Sequence, residues 1–99
     1  VTTRGGEQLS GDLIFDLDEA YQFEVIQGML DDIEFIIPFR NIREFAPRNY
    51  DNSNITLKNG DKYMLSESQD VTDKNQGVLV ISNGKAEYVR FDRVERITF

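Results

Sequence analysis

The sequence contains no cysteine, no histidine and no tryptophan among its 99 residues. Without cysteine the chain has no thiol nucleophile and no disulfide bond, and without histidine it has no imidazole for acid–base catalysis. The usual zinc and copper sites are excluded by the same two absences. We therefore expect a protein that is not an enzyme and that carries no cofactor.

Long hydrophobic runs are also missing, since no apolar stretch approaches the roughly 18 residues that a membrane-spanning helix needs. The sequence predicts no membrane insertion. Hydrophobic residues nevertheless make up 39% of the chain, and aromatic residues 11%, which is sufficient for a packed interior. A chain of this length is expected to form one compact unit.

Basic residues are scarce, and the formal net charge is −7. Residues 1–50 hold four arginines against ten acidic residues, whereas residues 51–99 hold seven basic against eight acidic residues. Such a charge repels a phosphate backbone and an anionic membrane surface. Nucleic acid is accordingly an unfavourable partner.

One ten-residue pattern occurs twice, at residues 36–45 and 88–97. Each copy begins with two apolar residues, which are followed by one variable residue and a phenylalanine. Two further apolar residues stand three and six positions after the phenylalanine. The spacing predicts a strand that ends at the phenylalanine, one 3₁₀ or helical turn, and a short last strand, with three side chains facing one core. The matched residues are Phe39 and Phe91, Ile42 and Val94, and Phe45 and Ile97.

Turn signals occur at corresponding places in the two copies. Residues 1–6 and 55–60 match at an offset of 54 and both end in glycine, which predicts a tight hairpin turn. Asn83-Gly84 predicts a later hairpin, and Asp31-Asp32 occupies the corresponding place in the first copy. We interpret the chain as an internal duplication.

Residues 17–27 fit two interpretations. Tyr21 and Val25 recur at helical spacing after a capping-box pattern that begins at Asp16, which allows a helix. Tyr21, Phe23 and Val25 also alternate at strand spacing, and the corresponding residues of the second copy favour β-structure. The consistency of the two copies makes a strand the preferred interpretation.

A polar stretch after Pro47 separates the copies. We assign residues 1–48 to the first repeat, 49–54 to a linker and 55–99 to the second repeat of a single compact unit. Short strands between glycine turns predict an all-β fold.

The closing pattern resembles that of small SH3-like barrels, and residues 57–60, 70–75 and 77–80 are similar to the pattern of Sm-like proteins. The resemblance implies two tandem Sm/SH3-like small barrel repeats with pseudo-twofold symmetry, possibly fused into one barrel or sandwich. Sm-like proteins bind uridine-rich RNA through an Asp-x-x-x-Asn arrangement, whereas Asp70 and Asn75 stand at a different spacing here. Single-stranded RNA binding is therefore an alternative rather than the leading hypothesis.

Nearly the whole chain also resembles uncharacterised bacterial extracytoplasmic proteins. The residues that carry this resemblance are 11–19, 37–39, 56–60, 75–77 and 89–91. The resemblance implies export, to the periplasm or out of the cell, and gives no activity.

Two acidic clusters are candidate metal sites. Asp16, Asp18 and Glu19 form the first, and Asp70 and Asp73 form the second. Carboxylates at alternating positions suit calcium, but the first cluster lacks the glycine that usually lets a calcium loop turn sharply. Solvated turns capped by aspartate are the simpler interpretation, and a calcium-stabilised adhesion module is the alternative.

Five of the seven arginines lie in the duplicated pattern and are candidates for contacting an acidic partner or a phosphate: Arg40, Arg43, Arg90, Arg93 and Arg96. Acidic residues are interleaved with them, so paired surface charges are the simpler interpretation. Tyr50, Tyr63 and Tyr88 could stack on a ligand, but the pattern predicts that Tyr63 and Tyr88 face the core.

These observations favour a non-enzymatic binding or scaffold module of an exported protein. A well-defined core without a catalytic arrangement indicates a partner, either another protein or a cell-envelope component, bound through loops or an open strand edge. The alternatives are single-stranded RNA binding by an Sm-like surface and calcium-stabilised adhesion.

Overall fold

The predicted all-β fold is confirmed by a computed structural model, which describes residues 1–15 and 25–99. In the described ranges no helix is long and apolar enough to cross a membrane. The 3₁₀ turns are Phe39–Asn41, Gln69–Val71 and Phe91–Arg93. The strands are β1 (Thr2–Thr3), β2 (Asp12–Phe15), β3 (Val25–Leu30), β4 (Ile33–Pro38), β5 (Ile42–Pro47), β6 (Asn52–Leu57), β7 (Lys62–Ser66), β8 (Val78–Ser82), β9 (Lys85–Val89) and β10 (Val94–Thr98).

The strands form two antiparallel sheets. The larger sheet has seven strands in the order β1-β10-β5-β6-β7-β3-β4, and the smaller has three in the order β2-β8-β9. A barrel closes only when the outermost strands of a sheet pair with each other. Neither β1 and β4 nor β2 and β9 pair, so the described strands form open sheets rather than the closed small barrels that the sequence predicts.

Strands from the two halves of the chain pair with each other, which explains why neither half closes by itself. β1 pairs with β10, and β5 pairs with β6. β2 pairs with β8, and β3 meets β7 where Met29 lies opposite Ser66. An alternating pattern specifies which face of a strand is buried but not which strand lies beside it. The strands were therefore easier to predict than their partners.

Two hairpins, β3–β4 and β8–β9, turn through two residues as the sequence predicts. The first residue of each turn, Asp31 or Asn83, has a positive φ angle, 55° or 52°. The hairpins therefore share a local geometry. Their pairing registers also agree at a shift of 52 residues: Ile26 lies opposite Ile37, and Val78 lies opposite Val89.

Each hairpin continues into a 3₁₀ turn that starts at a phenylalanine and then into a last strand, which confirms the predicted sequence of elements. The last strands β5 and β10 pair so that Phe45 lies opposite Ile97, and both side chains are buried. The rings of Phe45 and Phe91 are 6.1 Å apart. The core draws on both halves of the chain: Ile26, Ile37, Ile42, Phe45, Ile55, Leu65, Val71, Val78, Val89, Phe91, Val94 and Ile97.

The connection between the halves is shorter than the predicted linker of residues 49–54. Strand β6 already begins at Asn52. Ser53 is fully buried, and its hydroxyl donates a hydrogen bond to the carbonyl oxygen of Val71 at 2.8 Å. A buried hydroxyl needs such an acceptor, and the sequence alone does not reveal one 18 residues away.

The segment with two interpretations lies mostly outside the described residues. Residues 25–27, at its end, belong to β3. For residues 17–24 the strand stays a prediction.

Candidate binding cleft

A cleft of about 590 Å³ opens where the β5–β6 connection, the loop before β8 and the end of β9 come together. The segment after β1 completes its wall. We call this site the tyrosine cleft, because two exposed tyrosines stand among amides and charges of both signs. The lining residues are Arg4, Pro47, Asn49, Tyr50, Asp73, Asn75, Gln76, Tyr88, Arg90, Phe91 and Asp92.

Tyr50 stands on one wall because the chain turns tightly between β5 and β6. The side-chain oxygen of Asn49 accepts hydrogen bonds from the backbone N–H groups of Asp51 and Asn52, at 2.9 and 3.1 Å. The carbonyl oxygen of Tyr50 accepts a hydrogen bond from the backbone N–H of Asp73 at 2.8 Å, which joins this turn to the loop before β8. The Tyr50 side chain is 75% exposed, so its ring is accessible to a ligand.

Tyr88 provides a second aromatic surface. The sequence predicts that it faces the core, but it is 54% exposed because its neighbour Val89 takes the inward position of β9. Its hydroxyl donates a hydrogen bond to the carbonyl oxygen of Gln76 at 2.9 Å. Gly77 makes room for the ring, since a β-carbon there would lie 2.8 Å from a Tyr88 ring carbon. The ring is therefore held in place while much of it stays accessible.

Two arginines and two aspartates leave the lining without net formal charge. Arg90 and Asp92 form an ion pair at 2.8 Å, in which both side chains are largely exposed. The Nε atom of Arg4 donates a hydrogen bond to the carbonyl oxygen of Asp92 at 3.1 Å. Exposed pairs of this kind contribute only about 0–1 kcal/mol to stability. Their effect here is to hold two guanidinium groups next to Asp92 in the lining.

Buried polar groups hold the loop before β8. Asp70 is 2% exposed, and its Oδ2 atom accepts a hydrogen bond from the backbone N–H of Gln27 at 2.8 Å. Asn75 donates through Nδ2 to the carbonyl oxygen of Asp70 at 2.9 Å and accepts through Oδ1 from the N–H of Gly77 at 2.8 Å. β7 pairs with β3 at Met29. Asp70 bonds to β3 two residues earlier, at Gln27. The loop connects the large sheet to the wall of the cleft.

The structure describes the second of the two predicted acidic clusters. The first cluster, Asp16, Asp18 and Glu19, lies outside the described residues. Asp70 makes the contacts given above, and Asp73 is exposed on the wall of the tyrosine cleft. In the part of the chain that the structure describes, no three acidic, histidine or cysteine side chains are grouped closely enough to hold a metal ion. Calcium binding by either cluster stays a prediction.

The arginines of the duplicated pattern are divided among several places. Arg90 lines the tyrosine cleft. Arg40 and Arg96 line a separate groove of about 640 Å³. Arg43 donates a hydrogen bond to a backbone carbonyl of the β6–β7 turn at 2.9 Å, and Arg93 lies beside the turn after β1. Of this predicted set, Arg90 is the residue that the structure brings into the cleft.

Sequence reasoning did not reveal that Arg4, Tyr50 and Tyr88 share one site, because they come from widely separated segments. Two signals were available. Tyr50 lies inside a polar turn, where exposure is expected. The alternation that buries Val89 places Tyr88 on the opposite face.

Comparisons of the chain with protein-family models, with curated proteins and with solved structures find no match. A function is therefore inferred from the chemistry of the site.

Proposed function

We propose that this protein is a non-enzymatic binding module that holds an extended segment of another protein in the tyrosine cleft. The observation that carries the proposal is the pair of tyrosines on the cleft walls, 75% and 54% exposed. Tyrosine offers a large, flat surface with few rotatable bonds and a hydroxyl that forms hydrogen bonds. For these reasons it is enriched where proteins bind one another.

The rest of the lining suits a polypeptide backbone. The Oδ1 atom of Asn49 is engaged by its turn, but its Nδ2 group is a donor in the lining, and Arg90 carries further donors. An uncharged backbone matches a lining without net charge. Proline-rich segments dock in aromatic-lined grooves because their extended conformation is already formed before binding. We therefore favour an extended, proline-containing segment as the ligand.

A binding role fits the cleft better than a catalytic one. The chain has no histidine or cysteine to act as a base or nucleophile. In the cleft, the carboxylate of Asp92 is engaged by Arg90. These groups recognise a ligand through hydrogen bonds.

We further infer that the chain is a duplication of one Sm/SH3-like unit, with copies at residues 1–48 and 55–99. The inference is supported by the hairpin registers, which are shifted by 52 residues, and by Phe45, which pairs with the residue 52 positions after it. Pairing between equivalent residues is expected where a pseudo-twofold axis crosses an antiparallel sheet. Export of the protein, which its resemblance to bacterial extracytoplasmic proteins implies, is part of the same proposal.

Single-stranded RNA is a second candidate ligand, because Tyr50 and Tyr88 share the cleft with Arg4 and Arg90. Bases stack on tyrosine rings and on guanidinium groups. The net charge of −7 opposes this candidate. RNA binding would weaken steeply as salt is added, whereas binding of an uncharged segment would change little.

Selection from a phage library of short random peptides tests the proposal. The wild-type protein is expected to enrich a set of peptides. Their affinity should fall roughly tenfold or more in Tyr50→Ala and in Tyr88→Ala, because exposed aromatic side chains carry much of the binding energy at such sites. Fluorescence anisotropy measures the affinity, with a labelled oligouridine as the competing probe at low and moderate salt.

Ile36→Ala is the matched control, since Ile36 lies 52 residues before Tyr88 and is equally exposed, 55% against 54%. This substitution should leave the affinity of the selected peptides unchanged. Failure to enrich any peptide, or an equal loss in Ile36→Ala and Tyr88→Ala, would contradict the proposal. Salt-sensitive binding of oligouridine alone would favour RNA instead.

A further inference from the structure

The outer strand β4 of the seven-stranded sheet is a second surface with a defined chemistry. Within the described part of the chain, β4 pairs with β3 and with no other strand. Ile33 and Ile36 on this strand are 63% and 55% exposed. Soluble proteins usually shield long apolar edges, because unpaired strands recruit other strands. We call the outer side of β4 the β4 edge.

The pairing register shows which backbone groups point to the β4 edge. Residues that flank a two-residue turn form a hydrogen-bonded pair, and such pairs alternate along an antiparallel ladder. Leu30 and Ile33 flank the turn, so Ile33 bonds to β3 whereas Glu34 and Ile36 direct their N–H and C=O groups outward. Pro38 is the next residue of β4 whose backbone points away from β3, and proline has no N–H group that would be left unpaired. The β4 edge thus offers regularly spaced main-chain donors and acceptors.

The two faces of β4 differ in character. The ring of Phe35 lies 5.0 Å from that of Tyr63, and Ile37 on the same face is buried. Glu34 and Ile36 lie on the opposite face, because side chains alternate along a strand. A strand added beside β4 would therefore place alternate side chains next to Phe35 and next to Glu34.

Charge decides which strand fits this edge. Between Arg4 and Arg40 the sequence holds nine acidic residues and no basic one. Three acidic residues on β4 and its turn are exposed, namely Asp31, Asp32 and Glu34. Two copies of the chain each carry a net charge of −7, and this overall repulsion opposes an edge-to-edge homodimer. A basic strand would be attracted.

We infer that the β4 edge binds an extended basic segment of another protein, which adds to the sheet as an eighth strand. Lysine or arginine side chains of that segment lie beside Glu34, and apolar side chains alternate with them beside Phe35. Main-chain hydrogen bonds to Glu34 and Ile36 supply affinity, and the alternation supplies specificity. This inference does not depend on the tyrosine cleft.

The test uses a fluorescein-labelled peptide of alternating valine and lysine, titrated with the full chain and followed by anisotropy. Glu34→Lys should weaken binding roughly tenfold or more, because it places like charges side by side. Glu87→Lys is the matched control, since it makes the same charge change at an exposed residue of β9, the outer strand of the small sheet. It should weaken binding less than about twofold, because distant charges are screened.

Hydrogen exchange in the complex should slow at the amides of Glu34 and Ile36. Ile36→Pro removes one outward N–H without breaking a bond to β3 and should weaken binding, while Tyr88→Ala should leave the affinity unchanged. The inference is overturned if the wild-type chain does not bind the peptide, if Glu34→Lys and Glu87→Lys weaken it equally, or if the protected amides lie elsewhere. Self-association of the wild-type chain through β4, detected by sedimentation, would also overturn it.

Discussion

The β3–β4 and β8–β9 hairpins share a register and a turn geometry, yet they lie in different sheets and present different outer strands. β4 exposes Glu34 and Ile36, whereas the corresponding exposed residues of β9 are Ala86 and Tyr88. Register depends on the turn and on the inward-facing residues. The outward positions are consequently able to carry unrelated binding chemistry on the same backbone.

The interiors of the hairpins differ as well, because each hairpin has a glycine where the other has valine. Gly28 of β3 corresponds to Val80 of β8, and Gly77, just before β8, corresponds to Val25. Gly28 lets the core side chain of Leu65 approach, while Gly77 lets the ring of Tyr88 approach. The first glycine serves packing of the core, and the second serves the wall of the cleft.

Gly28→Ala provides the largest expected effect. A β-carbon at Gly28 would lie 2.5 Å from the β-carbon of Leu65, so the core must shift to admit it. We expect the free energy of unfolding to fall by about 3 kcal/mol, measured by urea denaturation. Gly5→Ala is the control, because its β-carbon meets the flexible end of Arg93 at 3.3 Å and should change stability by less than about 0.5 kcal/mol. Equal changes in stability for the two variants would mean that position 28 tolerates a side chain, as the corresponding position of β8, Val80, does.

Asp70→Ala should cost about 2 kcal/mol, because it leaves the N–H of Gln27 in β3 without its acceptor. Asp73→Ala is the matched control, since Asp73 is exposed in the same loop and should cost less than about 0.5 kcal/mol. The melting temperatures of both variants are measured with and without calcium. Equal losses would contradict the structural role of Asp70. A calcium-dependent rise in melting temperature that only Asp70→Ala abolishes would support the metal hypothesis.

The sequence was most informative where one short segment determines its own geometry. Asn83-Gly84 predicted its turn because both residues tolerate positive φ angles, and Phe39 and Phe91 predicted 3₁₀ turns from spacing alone. Partners of strands were not predictable in this way. The pairing of β2 with β8 depends on contacts between distant segments that no local pattern encodes.

The same limit applies to the candidate site. Arg4, Tyr50 and Tyr88 meet in the tyrosine cleft because of strand pairings between the two halves, not because of any motif. Asp70 attracted a metal hypothesis by its residue type, while its hydrogen bond to Gln27 appears only in the fold. Residue types indicate what a side chain can do, and the tertiary structure decides which of its roles it takes.

Asp31→Asn is the smallest and most direct comparison of the hairpins, because it gives the β3–β4 turn the residue that β8–β9 has at Asn83. Asparagine adopts a positive φ angle readily, and the change also removes one of three neighbouring negative charges. We expect the free energy of unfolding to rise by about 0.4 kcal/mol, which corresponds to about 2 °C in melting temperature. The reciprocal Asn83→Asp should lower stability by less than this amount, because Lys85 lies nearby in the sequence and offsets the new charge. If Asp31→Asn lowers the melting temperature instead, Asp31 has a role in its turn that Asn83 does not share, and the equivalence of the two turns fails.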